Sequence, residues 1–446
     1  MKKFLLRNSN ITIAGLLMGA VFLCWLLSFV FGSSTFDHTQ LSKVSIYAFL
    51  ACLFLIMPLN FRIVFFSILI FLSLFEVGLR AQDIYLNYVY PPKTAVGLWE
   101  YDSVLGWRNR PNKEKTYTSK LDRFRIKAKI NSKGLRDEEY PYKKKEGVKR
   151  ILLLGDSVTI GLEVEKDVLI DTQLENLLKA NGNYEVINAG VSAYGTDQSY
   201  LFLKNEGYKY APDIIIYGAV NNDPAENITI HQHQRAFGKS YFIIDENNNL
   251  VLKGVPVPQF KAEDPWVLAF PEAEKYYNGQ MEKETEAQES HSIMSSMKRD
   301  FSGLFFYQWL QSRIKRSSYL KDSLIKVGLK AEGPATVQKP DIVKDYEYRI
   351  MRRLVEAMSE FSKSINAKFL VYEFTNGVGI KPERPTDVEK ICQGFEIKYL
   401  NLSDQFYEIS KGKKVLCHHF DGHWNAKGHK LAAENIYKFM KQEMWI

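Results

Sequence analysis

The stretch RILLLGDSVTIG, Arg150 to Gly161, decides the fold. Its four consecutive apolar residues, Ile151 to Leu154, suit a short strand buried on both faces, as in a parallel sheet. Gly155 then permits a sharp turn, and Asp156 and Ser157 follow. Beyond VTIGLEVEKD, the run DTQLENLLKA reads as a helix. A serine so placed lies at the carboxyl end of a buried strand, where open α/β sheets hold their ligands. Taken alone, the tripeptide also fits an ordinary strand-to-helix turn with Ser157 as a helix cap. The choice depends on whether partners for a nucleophile occur downstream.

Three later segments supply such partners. EVINAG ends at Gly190, DIIIYGAV runs into Asn221-Asn222-Asp223, and FDGHWNAKGH carries Asp421 and His423. A Ser, a His and an Asp are the parts of a hydroxyl activated by a base that a carboxylate orients. An Asn amide and backbone N–H groups are the usual donors to a developing oxyanion. The order Gly-Asp-Ser, then Gly, then Asn-Asp, then Asp-x-His-Trp-Asn resembles the SGNH (GDSL-type) hydrolase superfamily over roughly residues 148–446. Upstream, DSVLGWRNRPN and INSKGLRDEEYP resemble the membrane-tethered bacterial branch of that superfamily, and Asp-x-His-Trp resembles its cell-envelope esterases and acetyltransferases. The resemblance implies a three-layer α/β/α flavodoxin-like parallel sheet. It also implies Ser157 as nucleophile, His423 as general base and Asp421 as the orienting acid. The N–H groups of Ser157 and Gly190 and the amide of Asn222 would form the oxyanion hole. No cofactor and no metal are implied.

Two spellings depart from the family pattern. The third block usually reads G-x-N-D, but Val220 stands two places before Asn222, and Gly218 falls two places early unless Asn221 is the donor. Asn222 is preferred because Asp223 follows it. The last block is often D-x-x-H, whereas here one residue, Gly422, separates Asp421 from His423. Among the neighbouring histidines, His418, His419 and His429, the register of Trp424-Asn425 favours His423, and His429 is read as structural.

The implied reaction is transfer of an ester-linked acyl group, acetyl above all, from an envelope glycan. Water as the second acceptor makes an esterase, and a sugar hydroxyl makes an O-acetyltransferase. The expected partners are an envelope carbohydrate or acyl-ester substrate, membrane lipid, and a multi-spanning membrane acyltransferase for the transferase case. The competing reading is a non-catalytic envelope scaffold or glycan-binding protein that keeps the fold.

From Val148 onward, short apolar runs at 150–154, 185–188, 213–217 and 368–373 alternate with helical stretches at 171–180, 196–206 and 345–365. That alternation predicts a parallel sheet with helices on both faces. Residues 224–344 are an insertion. Within it FIIDENNNLVL reads as a hairpin with an Asn-rich turn, and residues 301–329 form an amphipathic stretch with Phe305, Phe306, Tyr307 and Trp309. Its aromatic face is read as packing on the core, the alternative being a membrane-surface helix. Residues 81–147 read as a β-rich connector whose Trp107 packs inward.

Ile11–Phe31 is an uncharged apolar run long enough to cross a bilayer, and two further apolar runs, Leu41–Met57 and Phe61–Leu79, precede this domain. Lys2, Lys3 and Arg7 favour a cytoplasmic N-terminus, so three spans place the catalytic domain outside the cytoplasm, as in a bacterial inner-membrane protein facing the periplasm. Glu76 and Arg80 have the spacing of a helical ion pair. The net charge of +8 is dispersed in short Lys/Arg runs, which suits an anionic membrane or glycan neighbourhood; no nucleic-acid-binding signature accompanies it. Cys24 and Cys52 lie in the apolar runs. Cys392 and Cys417 are either a disulfide of an oxidising compartment or two buried thiols.

Overall fold

In the computed structural model the described residues are 58–89, 97–119, 122–230, 238–258, 341–374, 384–411, 413, 415–418 and 422–446. The first two apolar runs, the aromatic stretch 301–329, His419 and Asp421 lie outside them. The third run is helical: α1 spans Leu59–Val89 and contains an apolar window, Asn60–Gln82, of 23 residues with mean hydropathy 2.1. Nothing in RAQDIYLNYV stops a helix, so α1 continues past Leu79. Arg80 Nε donates to Glu76 Oε1 at 2.8 Å, one turn apart. The described residues up to Leu86 belong to one compact unit, and those from Asn87 onward belong to a second.

The second unit begins with two antiparallel hairpins, β1 (Trp99–Asp102) with β2 (Gly106–Asn109), and β3 (Glu114–Ser119) with β4 (Phe124–Lys129). In β4 buried and exposed residues alternate strictly, as one covered face requires. Trp107 is fully buried and joins the core of the sheet domain. Its indole Nε1 donates to Ser192 O at 3.1 Å, and its carbonyl accepts from Tyr194 Oη at 2.7 Å.

The sheet domain follows as β5 (Lys149–Leu154), the one-turn helix α2 (Ser157–Ile160), α3 (Ile170–Leu178), β6 (Tyr184–Asn188), α4 (Thr196–Asn205), β7 (Ile214–Val220) and α5 (Asp223–Asn227). The Asn-rich hairpin is formed by β8 (Tyr241–Ile244) and β9 (Leu250–Lys253). The chain then continues through α6 (Asp341–Ser364), β10 (Lys368–Phe374), α7 (Asp387–Gly394), β11 (Lys398–Asn401), α8 (Leu402–Ser410) and α9 (Ala426–Gln442). The fifth sheet strand, β11, was not expected from sequence; KYLN is a half-buried edge with little apolar signal.

The sheet runs β11-β10-β7-β5-β6 with every pairing parallel. Counting sheet strands only, that is the order 2-1-3-4-5 of flavodoxin-like doubly wound sheets, whose switch point lies between the first and third strands. β7 shows why helices must cover both faces. Ile214 and Ile216 enter one core with α3, α8 and α9, while Ile215 and Tyr217 enter the other with α4, α6 and α7. Cys392 lies in the second core and Cys417 in the first, and both are free buried thiols. The disulfide alternative is therefore corrected: the sheet stands between the two side chains.

Candidate active site

Ser157 sits where the switch point opens. Gly155 has φ 156°, and a Cβ there would come within 2.2 Å of Thr159 Oγ1, so the turn closes only on a glycine. Asp156 caps α2, its Oδ1 accepting the Val158 N–H at 2.9 Å, and its Oδ2 stands 3.4 Å from Ser157 Oγ. Burial pushes the Asp156 carboxyl above the usual range, with hydrogen bonds and the nearby His423 opposing. The N–H of Ser157, first residue of α2, belongs to the class of helix-start donors that have no partner within the helix.

His423 reaches this serine from the far end of the chain: its Nε2 lies 2.8 Å from Ser157 Oγ. The spelling H-W-N explains how it is held. Cys417 and Trp424 form an antiparallel bridge, and His418 N–H donates to His423 O at 2.7 Å. Trp424 is wedged among Phe374, Phe406 and His429, with ring centroids 4.9, 5.1 and 5.5 Å away. Asn425 caps α9 through Lys427 N–H and Gly428 N–H, and its Nδ2 donates back to the carbonyls of Val415 and Cys417. The histidine is thus presented between an aromatic anchor and a helix cap. His429 lies behind it, fully buried against Trp424 and Gly161, and burial pushes its imidazole down to about 3. His418 packs edge-on against Phe124 at 5.0 Å.

On the other side of the His423 ring, Nδ1 lies 3.5 Å from Glu163 Oε1, and the Glu163 side chain is only 3% exposed. Glu163 carried no distinguishing signal in GLEVEKD. Its loop is clamped by Arg136, from the segment INSKGLRDEEYP. The Arg136 guanidinium donates to Ile160 O at 3.1 Å, to Gly161 O, and to Val164 O at 2.6 Å. Ala128 of β4 packs with Ile160 and Leu162 of the same loop. Arg136 and Ala128 of the connector therefore brace the segment that follows Ser157.

Gly190 requires a correction. Its N–H donates to Asn188 Oδ1 at 3.0 Å, so it is committed within the loop rather than offered to an oxyanion. Glycine is needed there for another reason: a Cβ would approach Ile160 N to 2.4 Å. Asn188, a polar residue closing an apolar strand, holds this arrangement by donating to Thr159 O and Asp171 Oδ1, each at 2.8 Å. Asn109 Nδ2 supports the Gly190 carbonyl at 3.3 Å. Gly218 likewise serves packing, since a Cβ there would strike Tyr372 Oη at 2.3 Å.

Asn222 is exposed and immediately precedes α5, beyond the end of β7, the strand beside β5. Its turn is anchored by the buried Asp223, whose Oδ2 accepts from Tyr217 Oη at 2.5 Å and Val220 N–H at 3.0 Å. Burial holds that carboxyl well above the usual range. Among the described residues no cluster of His, Cys, Asp and Glu could hold a metal ion.

No family model matches the sequence, and no curated protein matches it. Solved structures that it resembles include a psychrotrophic esterase, EstA, from Pseudoalteromonas sp. (12% identity, 67% of this chain and 100% of that chain, TM-score 0.34). A protein assigned to the G-D-S-L lipolytic family from Desulfitobacterium hafniense matches at 10% identity over 65% of this chain and 99% of that one, TM-score 0.30. A catalytic mutant of an acetylxylan esterase from Geobacillus stearothermophilus matches at 11% identity over 67% and 96%, TM-score 0.32.

Proposed function

We propose that this chain is a membrane-anchored serine esterase or O-acyltransferase of the SGNH type, acting on ester-linked acyl groups of an envelope glycan. The observation that carries the reading is the 2.8 Å contact between His423 Nε2 and Ser157 Oγ at the sheet's switch point. Ser157 attacks the ester carbonyl while His423 takes its proton, and the imidazolium then protonates the leaving alcohol. The tetrahedral oxyanion is held by the Ser157 N–H and the Asn222 amide. In the second half-reaction water or a sugar hydroxyl gives its proton to His423 and attacks the acyl-serine, and the imidazolium returns the proton to Ser157 Oγ as the acid or acylated sugar leaves. Asp421 takes the orienting role that the motif assigns it. The apolar window of α1 supports the anchor, and the preceding basic residues support an extracytoplasmic domain at the bacterial inner membrane. A multi-spanning membrane acyltransferase is the partner expected if the acceptor is a sugar.

A serine-reactive fluorophosphonate separates this reading from a non-catalytic scaffold. The wild-type chain should be labelled and should hydrolyse a small acetyl ester, and Ser157→Ala should lose both. Asn222→Ala should lower turnover on the order of 10² to 10³-fold. A folded wild-type chain that neither labels nor hydrolyses overturns the enzyme reading.

A further inference from the structure

We propose that Glu163 is a positioning residue for His423, a buried carboxylate on the nucleophile's own loop that fixes the imidazole tautomer and stabilises the imidazolium. This inference rests on the serine-esterase reading above. For His423 Nε2 to accept the Ser157 proton, the ring proton must sit on Nδ1, and Nδ1 faces Glu163 Oε1 at 3.5 Å. The separation is longer than a formed hydrogen bond, as is common before substrate binds. Burial gives the pair weight: the Glu163 side chain is 3% exposed and that of His423 20%, so solvent screens their interaction poorly.

The position of Glu163 is built rather than incidental. Arg136 ties the carbonyls of residues 160, 161 and 164, on both sides of Glu163, to one guanidinium. Arg136 is itself buried, and its charge acts on Glu163, Glu165 and Asp171. A cation held there favours the ionised form of a neighbouring carboxylate. Among the described residues, the charged and titratable groups near His423 are Glu163 and Asp156 from the segment around Ser157, His418 from the strand segment bonded to His423, and His429 from α9. Asp421 stands two residues before His423 in sequence, whereas Glu163 reaches the ring from a segment 260 residues away.

The test is the pH profile of kcat/KM for a small acetyl ester, with fluorophosphonate labelling rates in parallel, for wild type, Glu163→Gln, Glu163→Asp and Ser157→Ala. Removing a carboxylate beside an imidazole lowers its proton affinity. The acid limb in Glu163→Gln should therefore move down by about one pH unit. The plateau should fall roughly 10²-fold through kcat with KM little changed, because the base is misoriented rather than the substrate. Glu163→Asp should recover part of both. If Glu163→Gln does not fold, Glu163→Asp alone decides, since withdrawing the carboxylate by one methylene should still shift the limb in the same direction. An acid limb at the wild-type pH in a folded variant overturns the proposal. Failure of wild type to label overturns the esterase reading instead.

Discussion

At the residue scale, His429 links burial to pH. Its folded-state pKa, pushed down to about 3 by burial and by the Arg136 charge, lies below the value near 6.5 of an unfolded chain. Between those values the unfolded chain binds a proton that the folded one refuses. The stability present above about pH 6.5 is consequently lost as pH falls, on the order of 1.4 kcal/mol per unit over this window. His429→Gln should flatten that slope, which urea unfolding at pH 4, 5, 6 and 7 would measure for both proteins. Parallel curves would mean that the imidazole is hydrated in the folded protein. Gly190 shows a different aspect of the same scale. Its place in the motif order suggests an oxyanion donor, but its N–H is consumed by Asn188 and its missing Cβ makes room for Ile160 N.

At the element scale, the β1–β2 hairpin is tied to the sheet domain through one buried indole. Trp107 is fully buried and exchanges hydrogen bonds with the loop that follows Gly190. Trp107→Ala should destabilise the second unit by about 3–5 kcal/mol, from lost burial and the cavity left behind. Chemical denaturation would show it, and a change under 1 kcal/mol would mean that the hairpin packs independently of the sheet. β7 is legible because it is an unbroken apolar run, which a strand covered on both faces requires. β11 is not, because an edge strand needs only one well-covered flank and carries few apolar residues. Glu163 is illegible for a related reason: no local pattern distinguishes it from Glu165, and only the Arg136 clamp and the approach of His423 do.

At the scale of the whole molecule, the site joins residues 266 positions apart in the chain, carried by a strand at the switch point and a loop before the last helix. The membrane side is a separate question of topology. If the N-terminus is inside and three spans precede the domain, a reporter that is active only after export should be active when fused at the C-terminus. Signal instead from a reporter that works only in the cytoplasm would mean an even number of spans. The thiols follow from the layered architecture. Cys392 and Cys417 occupy cores on opposite faces of the sheet, and digestion without reductant should yield two separately alkylated peptides.

The sequence alone determined the strand–turn–serine at 150–157 and the parallel α/β alternation, and its resemblance to a known motif order pointed to His423 as the partner of Ser157. The first two are written in local runs whose period is visible without a partner. Tertiary structure decided what depends on approach between distant segments. It places Glu163 beside His423 Nδ1, makes Arg136 the brace of the segment after Ser157, and commits the Gly190 N–H to Asn188. It also keeps Cys392 from Cys417. The physical reason is common to all four: hydrogen bonds and charge contacts act within a few ångströms, and the distances that govern them are set only when the sheet and its two helical layers have packed.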